Sequence, residues 1–327
     1  MRAITLTQFG DPEVLKDDQL TDPVPGANDL KIEVHTTSVN PIDFKIRRGA
    51  FREGRQFPFI LGYDVSGVVV EKGKNTLSFN LDDEVYAAPS LVRNGANAEY
   101  VCVDARTASL RPTSVDHIHT GVLPLVTLTA WEALYERANI QAGQRVLIQG
   151  GGGGVGHIAI QLAKLRGCQV ICTASRDQSI RLCEKLGADL VINYKEEDFV
   201  KRVKAETEDE GCDVVLDCVG GEVFDRSARC VSVNGQIVTC VGAGSSDMLR
   251  ELFVRNATLH FEMMAAPTMY GIRPEKQGKI LREAAALVDQ GRLRAHVSKE
   301  LDLADLAEGH RLQEEGHVVG KIAVRVK

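Results

Sequence analysis

The chain is 327 residues long, with 45 acidic and 39 basic side chains and a net charge of −6. That length suggests two domains, each able to bury its own core, and the acidic balance excludes the basic field that gathers nucleic acid or anionic lipid. Seven of the eight cysteines fall between Cys168 and Cys240, a pattern of buried thiols in a reducing compartment rather than a disulfide framework.

The opening MRAITLTQFG reads as a strand and not as a signal peptide. No apolar run is long enough to span a bilayer, so a cytoplasmic location is expected. Strand-type runs follow at residues 3–6, 31–39, 65–71, 84–88 and 98–103, separated by turn clusters such as DPVPG at 22–26. No long helical period interrupts them, which predicts a small all-β barrel. Residues 116–124 carry no strand pattern, and 127–138 read as a helix.

From residue 144 the pattern alternates. Strands are predicted at 145–149, 169–174, 190–193, 213–216, 235–240 and 258–262. Helices are predicted at 155–166, 178–186, 197–207, 222–231 and 248–255. Six strands with crossover helices predict an α/β unit, a parallel doubly wound sheet. The tail adds helices at 277–290 and 303–314 and strands near 296–297 and at 321–326. These pieces are too few for a domain and are expected to complete the first one.

The centre of the pattern is RVLIQGGGGGVGHIAIQLAKLRG, residues 145–167. Gly151, Gly153 and Gly156 fit G-x-G-x-x-G, with Gly154 and Val155 filling the turn. The first glycine suits a tight turn, the second lets a pyrophosphate reach the backbone, and the third lets helix and strand pack closely. The helix N-terminus then offers N–H groups to phosphate. Five successive glycines satisfy almost any glycine pattern. The structured flanks are what weigh against a merely flexible loop.

The residues NPIDFK at 40–45, GYDVSG at 62–67, LTA at 128–130, GGGVG at 152–156, LGAD at 186–189 and GKI at 320–322, in this order and spacing, resemble the medium-chain dehydrogenase/reductase superfamily. Within it the chain looks like the zinc-independent quinone oxidoreductase branch, the zeta-crystallin-like and alkenal/enone reductases. The resemblance implies a GroES-like β-barrel (1–122 and 265–327) interrupted by a Rossmann domain (123–264), with the active site in the cleft between them. It further implies an NADPH-dependent reductase that passes hydride to a quinone or an enone, and a homodimer formed through the edge strand 258–262. A non-catalytic NADPH-binding or crystallin-like protein and an alcohol dehydrogenase are the alternatives.

Zinc-dependent relatives place a Cys where Asn40 stands and a His-Glu pair where Tyr63-Asp64 stand, and the barrel holds only Cys102. No set of three or four converging ligands is therefore expected. At the end of the second Rossmann-type strand Ser175 and Arg176, with Arg181 beyond, replace the acid that would select NAD, which favours the 2′-phosphate of NADP(H).

The resemblance also brings Tyr194 to the adenosine phosphate and Thr129 to the nicotinamide. It brings main-chain groups of Val241, Gly242 and Ala243 to the carboxamide, while Lys321 is either directed towards the cofactor or a plain strand-edge lysine. Lys45 is either the donor to the substrate oxygen or a solvated lysine beside Arg47 and Arg48. Asn40 is a candidate for hydrogen bonding to substrate or ribose. Asp43 and Asp64 read as braces. Tyr63 is either a phenolic donor or filler of the space left by a metal. Residues 51–59 and 263–272 are expected to line the outer substrate cleft.

Overall fold

Asp29–Val39, DLKIEVHTTSV, is rich in β-branched residues and is the longest strand among the described residues at 11 residues. It is buried along most of its length because it pairs antiparallel with Val65–Lys72, Tyr100–Asp104 and Lys321–Arg325. In this computed structural model, which describes residues 1–242 and 244–327, the strand anchors a seven-stranded sheet. The order is Val297–Asp302, Lys321–Arg325, Asp29–Val39, Val65–Lys72, Glu84–Ala87, Ser109–Leu110, with Tyr100–Asp104 paired to Asp29–Val39. A smaller sheet joins Leu15–Gln19, Arg2–Leu6 and Phe59–Ile60. Leu30, Ile32, Val34, Val65, Val69 and Val85 form the barrel core, each 0% exposed, and each contributes roughly 1.5–3 kcal/mol by burial.

The barrel belongs to a unit made of Met1–Leu128 and Ala265–Lys327. It contains short helices that the strand pattern hides. Pro41–Arg47 is one. Asn40 is extended (φ −124°, ψ 156°) and forms a capping box with Asp43, and Pro41 takes the first helical position. Seven residues are too few to show a helical period, but the cap signals were present in the sequence. Tyr86, fully buried, donates its hydroxyl to Leu281 O, tying the barrel to Glu275–Asp289 in the chain's tail.

Thr129–Met264 forms the second unit. Its six strands run in the order Leu190–Asn193, Gln169–Ala174, Arg145–Gln149, Cys212–Asp217, Val231–Thr239, Thr258–Phe261, all parallel. By chain position that is 3-2-1-4-5-6, the doubly wound order that binds dinucleotides at the switch between its first and fourth strands. Val146, Leu147 and Ile148, like Val214, Val215 and Leu216, are 0% exposed, as continuous apolar runs covered on both faces should be. The helix predicted at 127–138 resolves into an α-helix Pro124–Trp131 and a wider π turn Glu132–Arg137. Arg137 Nε bonds Glu262 at 2.9 Å from that turn. No described helix is long and apolar enough to cross a membrane.

Candidate functional site

In the second unit the strand Arg145–Gln149 runs into the glycine turn, and the 12-residue helix Gly154–Leu165 leaves it. The positive φ falls on Gly150 (+72°) and not on Gly151, which corrects the expected role of the first motif glycine. Gly151 is instead required by close packing, since a Cβ there would lie 2.8 Å from Cys172 Cβ. At Gly152 a Cβ would lie 2.7 Å from Ser179 Cβ, and at Gly156 2.2 Å from Gly150 O. Gly156 thus has the helix-to-strand packing role read from its spacing. Gly153 caps the helix and faces the most room, with Gly150 O at 3.3 Å. The helix's first N–H groups, those of Gly154, Val155 and Gly156, have no carbonyl one turn back to bond and are aimed at whatever occupies the turn.

Two polar residues that the sequence reading passed over fix this turn. Thr173 Oγ1 accepts from Gly150 N at 3.0 Å and donates to Gln149 Oε1 at 2.7 Å, and Gln149 Nε2 donates to Ser227 Oγ at 2.9 Å. Their signal was a polar side chain inside an apolar strand. Asp217 was missed similarly. Its carboxylate accepts from Val219 N, Gly220 N and Thr239 Oγ1 at 3.0–3.2 Å, and burial pushes its pKa up. Thr239 Oγ1 also accepts from Val241 N at 3.2 Å, so this buried pair positions the backbone where Val241 and Gly242 emerge, both exposed. Ala243 lies outside the described residues.

Ser175, Arg176 and Tyr194 come together at the ends of the adjacent strands Gln169–Ala174 and Leu190–Asn193. Tyr194 N donates to Ala174 O at 3.3 Å, and Ser175 Oγ donates to Tyr194 Oη at 2.9 Å. Arg176 precedes the helix Asp177–Lys185 as its N-cap. Two hydroxyls meet there with an arginine next in the chain, and neither 175 nor 176 is an acid. Thr129 is buried at 5% exposure at the start of this unit.

In the first unit the predicted polar residues form a sealed cluster. Asp64 Oδ2 accepts from Ser38 Oγ at 2.5 Å and Asn40 Nδ2 at 2.8 Å, and lies 3.3 Å from Lys321 Nζ. Asp64 Oδ1 accepts from Leu125 N at 2.7 Å. Lys321 also donates to Asn40 Oδ1 and Val39 O. Asp43 accepts from Asn40 N and Gly62 N at 2.8 and 2.9 Å, and burial raises its carboxyl to about 7. Burial lowers the Lys321 ammonium, against the pull of Asp64.

Lys321 is 2% exposed and its ammonium meets Asp64 and Asn40. Asn40 is 1% exposed and its amide is used at both ends within the same cluster. Tyr63 is 0% exposed, and burial holds its phenol protonated. Its hydroxyl lies against the Arg55 guanidinium. Lys45 is exposed on the helix Pro41–Arg47, and no ion pair engages it among the described residues. Arg47, two positions on, is buried against His310, Gly10 O and Glu314.

The barrel cluster suits a metal poorly. It offers an amide, a phenol and carboxylates, one of them already paired with an ammonium, where zinc prefers thiolate and imidazole. Among the described residues no three His, Cys, Asp or Glu side chains converge as a ligand set.

A mostly antiparallel barrel and a doubly wound unit with a glycine turn together define a dehydrogenase-type architecture. The family description "Alcohol dehydrogenase GroES-like domain" matches residues 26–113, and "Zinc-binding dehydrogenase" matches 186–324. A zinc-type alcohol dehydrogenase-like protein of Staphylococcus epidermidis is 31% identical over 316 residues, 93% of each chain. The quinone oxidoreductase structure from Coxiella burnetii is 34% identical with a TM-score of 0.89, over 100% of this chain and 99% of that one. The Escherichia coli quinone oxidoreductase structure, complexed with NADPH, is 27% identical with a TM-score of 0.90 over the whole of both chains. The chain belongs to the medium-chain dehydrogenase/reductase superfamily, in its quinone oxidoreductase branch. It is an oxidoreductase with a GroES-like barrel and a Rossmann-type unit.

Proposed function

We propose that the chain is an NADPH-dependent, metal-free reductase acting on a quinone or an α,β-unsaturated carbonyl. The observation that carries this reading is the pairing of Ser175 with Tyr194 at the ends of two adjacent strands, with Arg176 next in the chain and no acid at either position to accept from a ribose 2′-hydroxyl. The same edge carries a glycine turn that a Cβ would fill, so the residues present fit a dinucleotide. The NADPH named in the Escherichia coli relative supports the choice. The quinone oxidoreductase name that relative shares with the Coxiella burnetii protein supports the substrate class. The Staphylococcus relative's name points to an alcohol dehydrogenase-like enzyme, but the Asn40, Tyr63 and Asp64 donor set speaks for chemistry without zinc.

When bound, the nicotinamide supplies hydride. The N–H groups of Gly154, Val155 and Gly156 hold the pyrophosphate across Gly151–Gly153, and Ser175, Arg176 and Tyr194 hold the 2′-phosphate. Val241, Gly242 and the hydroxyl of Thr129 orient the nicotinamide end. In the barrel unit the Lys45 ammonium donates to the substrate oxygen as negative charge builds there, and solvent completes protonation. Asn40, Asp43, Asp64 and Lys321 keep the helix that carries Lys45 in place. Replacing Arg176 by Ala is expected to weaken NADPH binding by about 10- to 100-fold, the loss of a charged hydrogen bond, with NADH nearly unaffected. Equal losses for the two nucleotides, measured by fluorescence titration, would remove the 2′-phosphate assignment.

A further inference from the structure

The barrel unit contains a cavity of about 870 Å³ with Phe59, Val92 and Met269 in its wall. Its size suits a ring-sized small molecule. Its charge is unexpected in a chain of net −6, because Arg52, Arg55 and Arg93 line it with Glu53 as the one acid. Arg93 is neutralised, since its guanidinium grips Asp29 in two bonds of 2.9 and 2.7 Å. Neither Arg52 nor Arg55 has an ion-pair partner among the described residues.

Arg55 is the informative one. Its guanidinium lies over the Phe59 ring at 3.9 Å. Nη2 donates to Leu91 O at 3.0 Å and Nε reaches Phe51 O at 3.4 Å. Those contacts fix the plane of the group and neutralise none of its charge. Nη1 is buried beside the hydroxyl of Tyr63, which lies against the same guanidinium and carries no charge to offset it. A planar arginine held in place by neutral groups, its charge unpaired beside an apolar wall, suits a carboxylate or another oxyanion attached to a ring.

We propose that this cavity selects acidic substrates: quinones or enones that carry a carboxylate or a comparable oxyanion away from the reducible bond, with Arg55 as the recognising cation and Arg52 adding to the field. The inference rests on the reductase reading and narrows its substrate class. Glu53 sets a limit, since it repels the same anion and leaves the arginine excess modest.

The test compares 1,4-naphthoquinone bearing a 2-propionate side chain with its methyl ester, following NADPH oxidation at low and high salt. The acid is expected to have a kcat/KM about 10- to 100-fold above the ester's at low salt. Molar salt should shrink that preference, and Arg55→Met should bring the acid-to-ester ratio close to 1. Arg52→Met, on the exposed rim, should lower the ratio less. A wild-type protein that turns over the ester as well as the acid overturns the proposal, as does an unchanged ratio in Arg55→Met. The salt comparison uses wild-type protein alone, so a variant that fails to fold leaves the test intact. Should neither quinone consume NADPH, the reductase reading falls. Calorimetric binding of the acid against the ester then decides the cavity's preference separately: tighter acid binding supports it and equal binding sinks it.

Discussion

Lys45 and Arg47 are two positions apart, and their fates differ completely. Arg47 is fully buried against Glu314, His310 and Gly10 O, while Lys45 on the same helix is exposed. Two helical positions turn the side chains by about 200°, so the face that packs on Leu306–Glu314 takes the arginine and leaves the lysine outside. Adjacency in the sequence does not reveal this difference, and helix phase does. The proposed role for Lys45 in meeting a substrate oxygen uses that exposure. Lys45→Ala is expected to lower kcat by about 100-fold while NADPH affinity holds within about twofold, checked by steady-state kinetics beside nucleotide titration. Undiminished turnover would strike Lys45 from the mechanism. The Gly-Lys pair at 320–321 was legible as a resemblance, and the surroundings of Lys321 were not. Burial against Asp64 cannot be read from a pair of letters.

The glycine turn shows what an element's sequence pattern can and cannot specify. Strand, turn and helix were legible from the period change at residues 145–167, and the six strands of that unit from their spacing and apolar runs. The assignment of jobs among five successive glycines was not legible. The backbone conformation that needs glycine falls on Gly150, and the crowding on Gly151, Gly152 and Gly156 comes from side chains and backbone elsewhere in the fold. The helix Pro41–Arg47 was missed because its period is too short to see, although Asn40-Pro41 and Asp43 spelled its cap. The crowding makes a graded prediction. Gly156→Ala puts a methyl 2.2 Å from Gly150 O, which forces helix and strand apart. That variant should lose NADPH binding together with several degrees of melting temperature, at a cost of about 1–3 kcal/mol. Gly153→Ala, where the nearest atom stands at 3.3 Å, should keep its melting temperature and lose affinity alone. Thermal melts with and without NADPH separate the two, and an equally stable Gly156→Ala protein would contradict the packing argument.

At the scale of the molecule, Thr258–Phe261 ends the parallel sheet with one side unpaired, and Phe261 is 57% exposed there. An exposed edge carrying an aromatic side chain invites strand-to-strand pairing. A symmetric pairing of two copies of the chain closes on itself and covers this edge in both. A dimer through this strand is the expected assembly, and Phe261→Lys should shift it to monomer in light scattering after gel filtration. A wild-type monomer at micromolar concentration would exclude it.

The strand Lys321–Arg325 lies inside its sheet, between Val297–Asp302 and Asp29–Val39. During synthesis the nucleotide-type unit leaves the ribosome whole, while Asp29–Val39 waits for a neighbour almost 300 positions downstream. The ammonium that offsets Asp64 arrives on that same late segment, so the acidic interior of the barrel has to stay hydrated until then. Closure of the strand ladder and removal of water from the acids are thereby one event, and a nascent chain stalled short of position 321 can achieve neither.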